Sequence, residues 1–486
     1  MRRCLLAALV TAFASACTLG PDYVQPRVAV PEQWRVDYPA AADAAGSKWW
    51  EQFGDSALNR LVETALRENR DLLVAAARVD QFIGQLQTTR SQLYPQAGVN
   101  LDASRNRATA VGTTPLPAGA DPYYSLYQGA LGAQWQIDLF GRVRRLSEAA
   151  QARVYATEQA RRGVVLSVVT SVSSAYVALR VLDRQLEIAR STAANYGETL
   201  RIFELRFKGG VVSQVELEQV RSQYRQALAA IPSLERQVGV AENLISLLLG
   251  RNPGPIPRGR ALGDLAMPGI PAGLPSTLLE RRPDILQAEQ NLVAANASIG
   301  AAKAQYFPQL SLTGALGSVS TALGSFLSGP ATTWSVAAGL AGPLFTAGAI
   351  AGQVGSAEAA EREALASYQQ AVLNAFRETS DALLGAVKKQ QEAAEQSKRV
   401  ASLREYARLS RMRFDNGYAG YLEVLYAENE LFTAELTAAN TVGDQYTQLV
   451  GVYKAMGGGW VDLADQGTVE TSPGRITERA AKQPLF

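Results

Sequence analysis

The chain of 486 residues contains no histidine. That absence excludes Ser-His-Asp and Cys-His catalysis, the HExxH zinc helix and haem held by histidine. No GxxxxGK[ST], GxSxG or SxxK motif replaces them, so the sequence offers no catalytic constellation and is read as a non-enzyme with no cofactor. Charge is also scarce: the formal net charge is +2, and Arg2 and Arg3 fall in a segment expected to be removed. A near-neutral chain has no electrostatic footprint for nucleic acid. Only two cysteines occur, Cys4 and Cys17. Loss of Cys4 with a leader leaves Cys17 unable to form an intrachain disulfide. Long apolar runs are missing as well, and no segment of the mature chain is expected to cross a bilayer as a helix. Proline is absent from Arg142 to Ile231 and from Leu344 to Ser472.

What is present begins at the N-terminus. Arg2-Arg3, the apolar run Leu5–Phe13 and Ala14-Ser15-Ala16 form the charged start, apolar centre and small-residue exit of a secretory signal over 1–16. Cys17 follows at once. Ala14-Ser15-Ala16-Cys17 is similar to a bacterial lipobox, with Ala14 where leucine is usual. Acylation of Cys17 is expected, against the alternative of ordinary cleavage beside an unmodified cysteine. Thr18, rather than aspartate, fits the route to the outer membrane.

Self-comparison shows two copies of one unit. Asp71 matches Asp284, and Tyr94-Pro95-Gln96 matches Phe307-Pro308-Gln309, both at an offset of 213. Leu139-Phe140 matches Leu344-Phe345 at 205, while Arg206-Phe207 matches Arg413-Phe414 and Gly250 matches Gly457 at 207. Five matches in one order imply duplication, with a shorter loop in the second copy between the landmarks at Pro308 and Phe345.

Each copy changes period at the same points. Leu58, Leu61, Ala65, Leu72, Ala76, Val79, Ile83, Leu86 and Leu93 recur at helical spacing. Beyond Pro95 the period becomes two: Val99, Leu101 and Ala103 alternate with Asn100, Asp102 and Ser104, and Leu131, Ala133, Trp135 and Ile137 with Gln134, Gln136 and Asp138. Leu310, Leu312 and Leu316, then Trp334, Val336, Ala338 and Leu340, repeat the pattern. These four strands have one apolar and one polar or small face, at about the 9–11 residues that cross a bilayer when tilted. Helical composition then runs from Arg142 to Lys208, which would extend roughly 100 Å at 1.5 Å per residue, and again from about 346 to 415. Lys208-Gly209-Gly210 and Asn416-Gly417 read as left-handed caps. Ser213 and Glu216 form a capping box, with Gly420 and Glu423 at the matching positions. Pro232 is expected to kink the first return helix.

The expected organisation is a lipid-anchored N-terminal segment and equatorial region over 17–56, repeat units over 57–254 and 277–460, and a Pro/Gly linker over 255–276. A mobile tail is expected over 461–486, polar and aperiodic from Asp462. Within the units the hairpins fall at about 97–139 and 309–344, and the return helices at about 211–249 and 420–456. Membrane insertion without a spanning helix requires a closed barrel. Four strands cannot close alone, and three chains give twelve, the smallest assembly here with room for an aqueous lumen.

Cys17–Pro26, Trp49-Trp50, Asp138–Arg142, Leu279–Asp284 and Gly342–Phe345 together resemble the OprM- and NodT-type outer-membrane efflux lipoproteins of the TolC-like family. The resemblance covers Cys17 to about Gly459. It implies an α+β membrane protein: a homotrimer whose twelve-stranded outer-membrane barrel continues into a long periplasmic α-helical barrel. It also implies a passive exit duct for drugs or other small molecules, working with a periplasmic adaptor and an inner-membrane pump of RND type. Adaptor docking falls on the tips, Gly209, Gly210, Asn416 and Gly417. By position, Leu422 matches an apolar constriction and Glu423 an acidic ring; Tyr426 stands where aspartate is common and Ala419 where TolC has an arginine. A gate resting on Leu422 and Tyr426 packing more than on salt links is therefore expected. Two readings of Glu423 stay open, the helix-start acid and the pore-facing carboxylate. Trp49 and Trp50 read as packing or interfacial anchors, and Gly457-Gly458-Gly459 as a helix stop. Type I protein secretion and a periplasmic adaptor or structural coiled-coil lipoprotein are the alternatives.

Overall fold

The structure, a computed structural model, describes residues 18–35, 40–41, 48–109, 119–271, 278–457 and 460–468. The signal segment, Cys17, Gly458, Gly459 and residues 469–486 lie outside the described residues. The chain forms two compact units, one of 1–27, 80–156 and 288–368, the other of 28–79, 157–287 and 369–486.

The first unit holds a four-stranded antiparallel sheet of β1 (Gln96–Arg107), β2 (Tyr123–Ile137), β3 (Gln309–Ser320) and β4 (Thr332–Ala341), in that order. Strands of 12, 15, 12 and 10 residues match the expected hairpins closely. Their register aligns the alternation seen in the sequence. Val99 lies opposite Leu131, Leu131 opposite Leu316 and Leu316 opposite Trp334, one apolar row across all four strands. On the other face Gln134 pairs with Thr313 and Gln136 with Ser311. Val99, Leu101, Trp334, Val336 and Leu340 are all exposed, so among the described residues most of the apolar face is uncovered. Among the described residues β1 pairs only with β2 and β4 only with β3, which leaves both outer edges open.

The duplication is visible in element lengths. Helix α1 (Ser56–Glu68) precedes α2 (Arg70–Ser91), whose counterpart is α5 (Pro283–Lys303). Helix α3 (Arg142–Lys208) and its mate α6 (Ala349–Asp415) each have 67 residues. Return helices α4 (Gln214–Leu248) and α7 (Tyr421–Ala455) each have 35. Helix α6 starts later than expected because three more residues separate strand from helix there than in the first copy, with Ala347 and Gly348 both at positive φ. Helix α4 runs unbroken through Pro232. The missing donor is one bond among many in a long packed helix.

In the second unit the two copies close alike. Asn69 Nδ2 donates to the Leu248 carbonyl at 2.7 Å, and Arg282 Nη1 donates to the Ala455 carbonyl at 2.8 Å. Asn69 and Arg282 are repeat mates, and so are Leu248 and Ala455. Each return helix thus has a final carbonyl satisfied by the residue that precedes α2 or α5. Gly250 and Gly457 follow at φ 71 and 53, and a side chain at Gly250 would overlap the Glu68 carbonyl.

Trp49, Trp50 and Phe53 are buried with Tyr453 and Trp460. Trp49 stacks on Tyr453 at 4.9 Å, and Trp460 meets both tryptophans edge-on at 5.8 to 5.9 Å. They are packing anchors. Trp460 opens a short helix, α8 (Trp460–Asp465), which Arg161 ties down through Asp465 at 2.6 Å. Residues 461–468 are therefore packed, contrary to the expected mobile tail, because Val461 and Ala464 face the core. The linker is packed too: Ile256, Leu262 and Leu265 are buried, and Ile270–Pro271 pairs with Ala40–Ala41. One further expectation fails by composition. An 18-residue stretch of α3 is apolar enough to cross a membrane, but 67% of it is buried in the protein. It supplies Val165 to Val181 of this core.

Asp55, 1% exposed, organises the α1 end. Its carboxylate accepts from the Ala57 amide and the Tyr176 hydroxyl at 2.8 Å each, and from the Arg260 amide at 2.8 Å. Asp55→Ala removes an N-cap and leaves two buried donors without partners. A loss of about 2–4 kcal/mol is expected, read as a lowered thermal midpoint of the purified protein.

Candidate functional site

Both tips are built by the same backbone device. In the first, the Val211 amide donates to the Arg206 carbonyl and Gly210 to Phe207, each at 2.9 Å; in the second, Tyr418 donates to Arg413 at 2.8 Å and Gly417 to Phe414 at 3.0 Å. These are paired six-to-one and five-to-two bonds that end a helix with a left-handed residue. Gly210 and Gly417 have φ of 72 and 76. Gly209 keeps a right-handed conformation and Asn416 bonds its side chain to the Met412 carbonyl at 2.7 Å.

After the turns the tips diverge. Ser213 caps α4, with the Glu216 carboxylate accepting from the Ser213 amide at 2.8 Å and the Glu216 amide donating to Ser213 Oγ at 3.2 Å. Gly420 has no side chain to offer α7. Glu423 is the acid of the first turn of α7, as the helix-start reading has it, and its carboxylate also pairs with Arg413 of α6 at 2.8 Å. Leu422 and Tyr426 lie one turn apart on α7 and are 64% and 60% exposed.

The second tip is instead fastened by groups that local sequence patterns do not reveal. Phe203, Phe414 and Tyr421 cluster with ring centroids 4.3 to 6.1 Å apart, and Arg206 lies over Phe414 at 5.5 Å. Behind them Arg411 donates to Glu428 at 2.8 Å and to Thr199 Oγ1 at 3.3 Å, joining α6 to α7 and α3. Burial pushes the Glu428 carboxyl above its ordinary range, against the opposing pull of Arg411. Burial also pushes Tyr421 up to about 12. Arg411 and Glu428 are seventeen residues apart, a separation that no helical spacing rule picks out. The expectation that salt links are secondary here is thus incomplete: two ion pairs, Arg413–Glu423 and Arg411–Glu428, fasten the hairpin within the chain.

Among the described residues no cluster of three or more metal-ligating side chains occurs. The outer membrane efflux protein family model matches residues 61–251 and again 274–458, once for each repeat unit. The chain belongs to the outer membrane efflux protein family. It is 35% identical over 452 residues to the solvent efflux pump outer membrane protein SrpC of Pseudomonas putida, covering 91% of this chain and 96% of that one. It is 31% identical over 454 residues to the probable outer membrane lipoprotein SilC of Salmonella typhimurium, covering 92% and 97%. Among solved structures, the outer-membrane channel OprN aligns with a TM-score of 0.84 at 30% identity, over 92% of this chain and all of that one. The fold is TolC-like, and the protein is an outer-membrane efflux component.

A raised Glu428 pKa means the folded protein binds a proton more tightly there than the unfolded chain does. Stability from this group is present below the ordinary carboxylate pKa and is lost as pH rises through the elevated folded value. The thermal midpoint of wild type should therefore fall as pH rises above the ordinary carboxylate range, by an increment that Glu428→Gln lacks. Melting curves of both proteins across that range test this.

Proposed function

We propose that three copies of this chain join their sheet edges into a twelve-stranded outer-membrane barrel and act as the passive exit duct of a tripartite efflux system. One observation carries the reading: a sheet with an uncovered apolar face, a polar face and two open edges. In hydrocarbon each unpaired backbone group costs several kcal/mol, so such edges must be closed by another copy. Two copies would give eight strands and an interior filled by side chains; three give a lumen.

The cargo is small molecules, a class to which the solvents named for SrpC belong. The partners are a periplasmic adaptor, docking on the tips around Gly209, Gly210, Asn416 and Gly417, and an inner-membrane pump of RND type. Cys17 carries the lipid, in keeping with the lipoprotein SilC. Deleting the gene and measuring accumulation of solvents and dyes tests the efflux reading. Raised accumulation with normal protein secretion supports it; unchanged accumulation with lost secretion assigns the duct to type I secretion instead.

The gate is the second tip, where Leu422 and Tyr426 from three copies narrow the lumen. Leu422→Ala and Tyr426→Ala should raise single-channel conductance in planar bilayers, and unchanged conductance would remove both from the constriction. Glu423 faces the same opening with much of its field offset by Arg413. Arg413→Ala should therefore increase cation selectivity and Glu423→Gln decrease it. Reversal potentials insensitive to both changes would place the pair outside the pore.

A further inference from the structure

Residues 18–23 form neither helix nor strand, yet each is held. Thr18 lies against Gly141, where a Cβ would stand 2.9 Å from its Cγ2. The Leu19 carbonyl accepts from Arg145 Nε at 3.1 Å. Gly20, at φ 99, rests its backbone on Gly300, and a Cβ on either glycine would overlap the other's strand of chain. The Pro21 carbonyl accepts from Asn296 Nδ2 at 3.0 Å, Asp22 pairs with Arg145 at 2.8 Å, and the Tyr23 hydroxyl donates to Glu289 at 3.1 Å. Val24 is 81% exposed, and beyond it Gln25 bonds the Tyr368 side chain.

The groove is specific to one side of a duplicated fold. Its walls are the first turns of α3 and one face of α5. At the repeat positions of Glu289, Asn296 and Gly300 the first copy has Ala76, Ile83 and Gln87, and at the repeat position of Arg145 the second copy has Gly352. None of these mates could make the same contacts. An arginine side chain only 6% exposed and a glycine pair in backbone contact are therefore additions to the shared plan. Ordering an irregular segment costs conformational entropy, which these contacts offset.

Where the segment leads is set by its first contact. Gly141 directly follows Phe140, which stacks on Phe307 at 4.7 Å. Around the strand ends Tyr94, Leu139, Tyr306, Leu344 and Phe345 are exposed, an apolar and aromatic belt of the kind that marks a membrane–water interface. We propose that Arg145, Asn296 and Gly300 form an intrachain docking groove for residues 18–23, which holds Thr18 beside this belt. They are positioning residues. The inference rests on the reading that Cys17 bears the lipid. The groove then sets the level at which acyl chains enter the bilayer, rather than leaving them on a loose tether.

Chymotrypsin cleavage after Tyr23 of the purified full-length protein, followed by intact mass, separates a docked segment from a loose one, because the Tyr23 side chain must leave Glu289 to enter the protease. An extended segment must leave the groove to enter the protease, so cleavage reports its opening. Gly300→Val and Arg145→Met should speed cleavage after Tyr23 roughly tenfold, with Asn296→Ala giving a smaller increase. The acyl mass on Cys17 and the thermal midpoint should stay as in wild type. Equal rates in wild type and all three variants would overturn the groove even where Cys17 is acylated. An unacylated wild type would overturn the lipid reading, and the contrast in rates would still decide the groove. Asn296→Ala, which only shortens a side chain, keeps the test valid if Gly300→Val does not fold.

Discussion

Two strand edges without partners constrain everything else in this protein. Helices satisfy their own backbone, but among the described residues β1 and β4 each present one edge with no strand beside it. In water such edges invite aggregation, and in a membrane they are untenable. The apolar row Val99, Leu131, Leu316 and Trp334 shows which face meets lipid. Closure by identical copies resolves both problems together, because the edge strand of one copy is the complement of the opposite edge of the next. A rotationally symmetric ring follows from head-to-tail pairing.

Duplication explains why the two halves of the chain are so alike, and divergence explains how one chain serves several tasks. The joint made by Asn69 at Leu248 is repeated by Arg282 at Ala455 with different chemistry. Arginine adds links to Asp284 and Glu378 that asparagine cannot make. At the tips the turns are the same and the caps are not. Replacement of Ser213 by Gly420 frees Glu423 to bind Arg413. At the N-terminal groove Arg145 and Gly300 have no equivalents in the other copy. Shared backbone geometry sets the architecture, and unequal side chains set the roles.

Much of this architecture is legible in the amino-acid sequence. Strand alternation and the 213 and 207 offsets locate all four strands and both long hairpins, since period and glycine caps are local signals. Glu216 is readable as a cap for the same reason. Arg411 and Glu428 are not, because their pairing depends on how α6 packs against α7. Residues 461–468 mislead: their polar sequence hides Val461 and Ala464, and only the tryptophan cluster shows why that turn is buried. The apolar stretch of α3 belongs to the same core, so its composition reports packing against Trp49 and Trp50 rather than lipid. Pro232 lies in a helix long enough to absorb one missing bond.

A duct exists only if enough copies close the sheet, so the number of chains per particle is the decisive quantity. Native mass spectrometry of the full-length protein released from detergent micelles measures it. Three chains per particle, dissociating only when the barrel is disrupted, is the predicted result. A stable monomer, or a particle of two chains, would contradict closure into a duct.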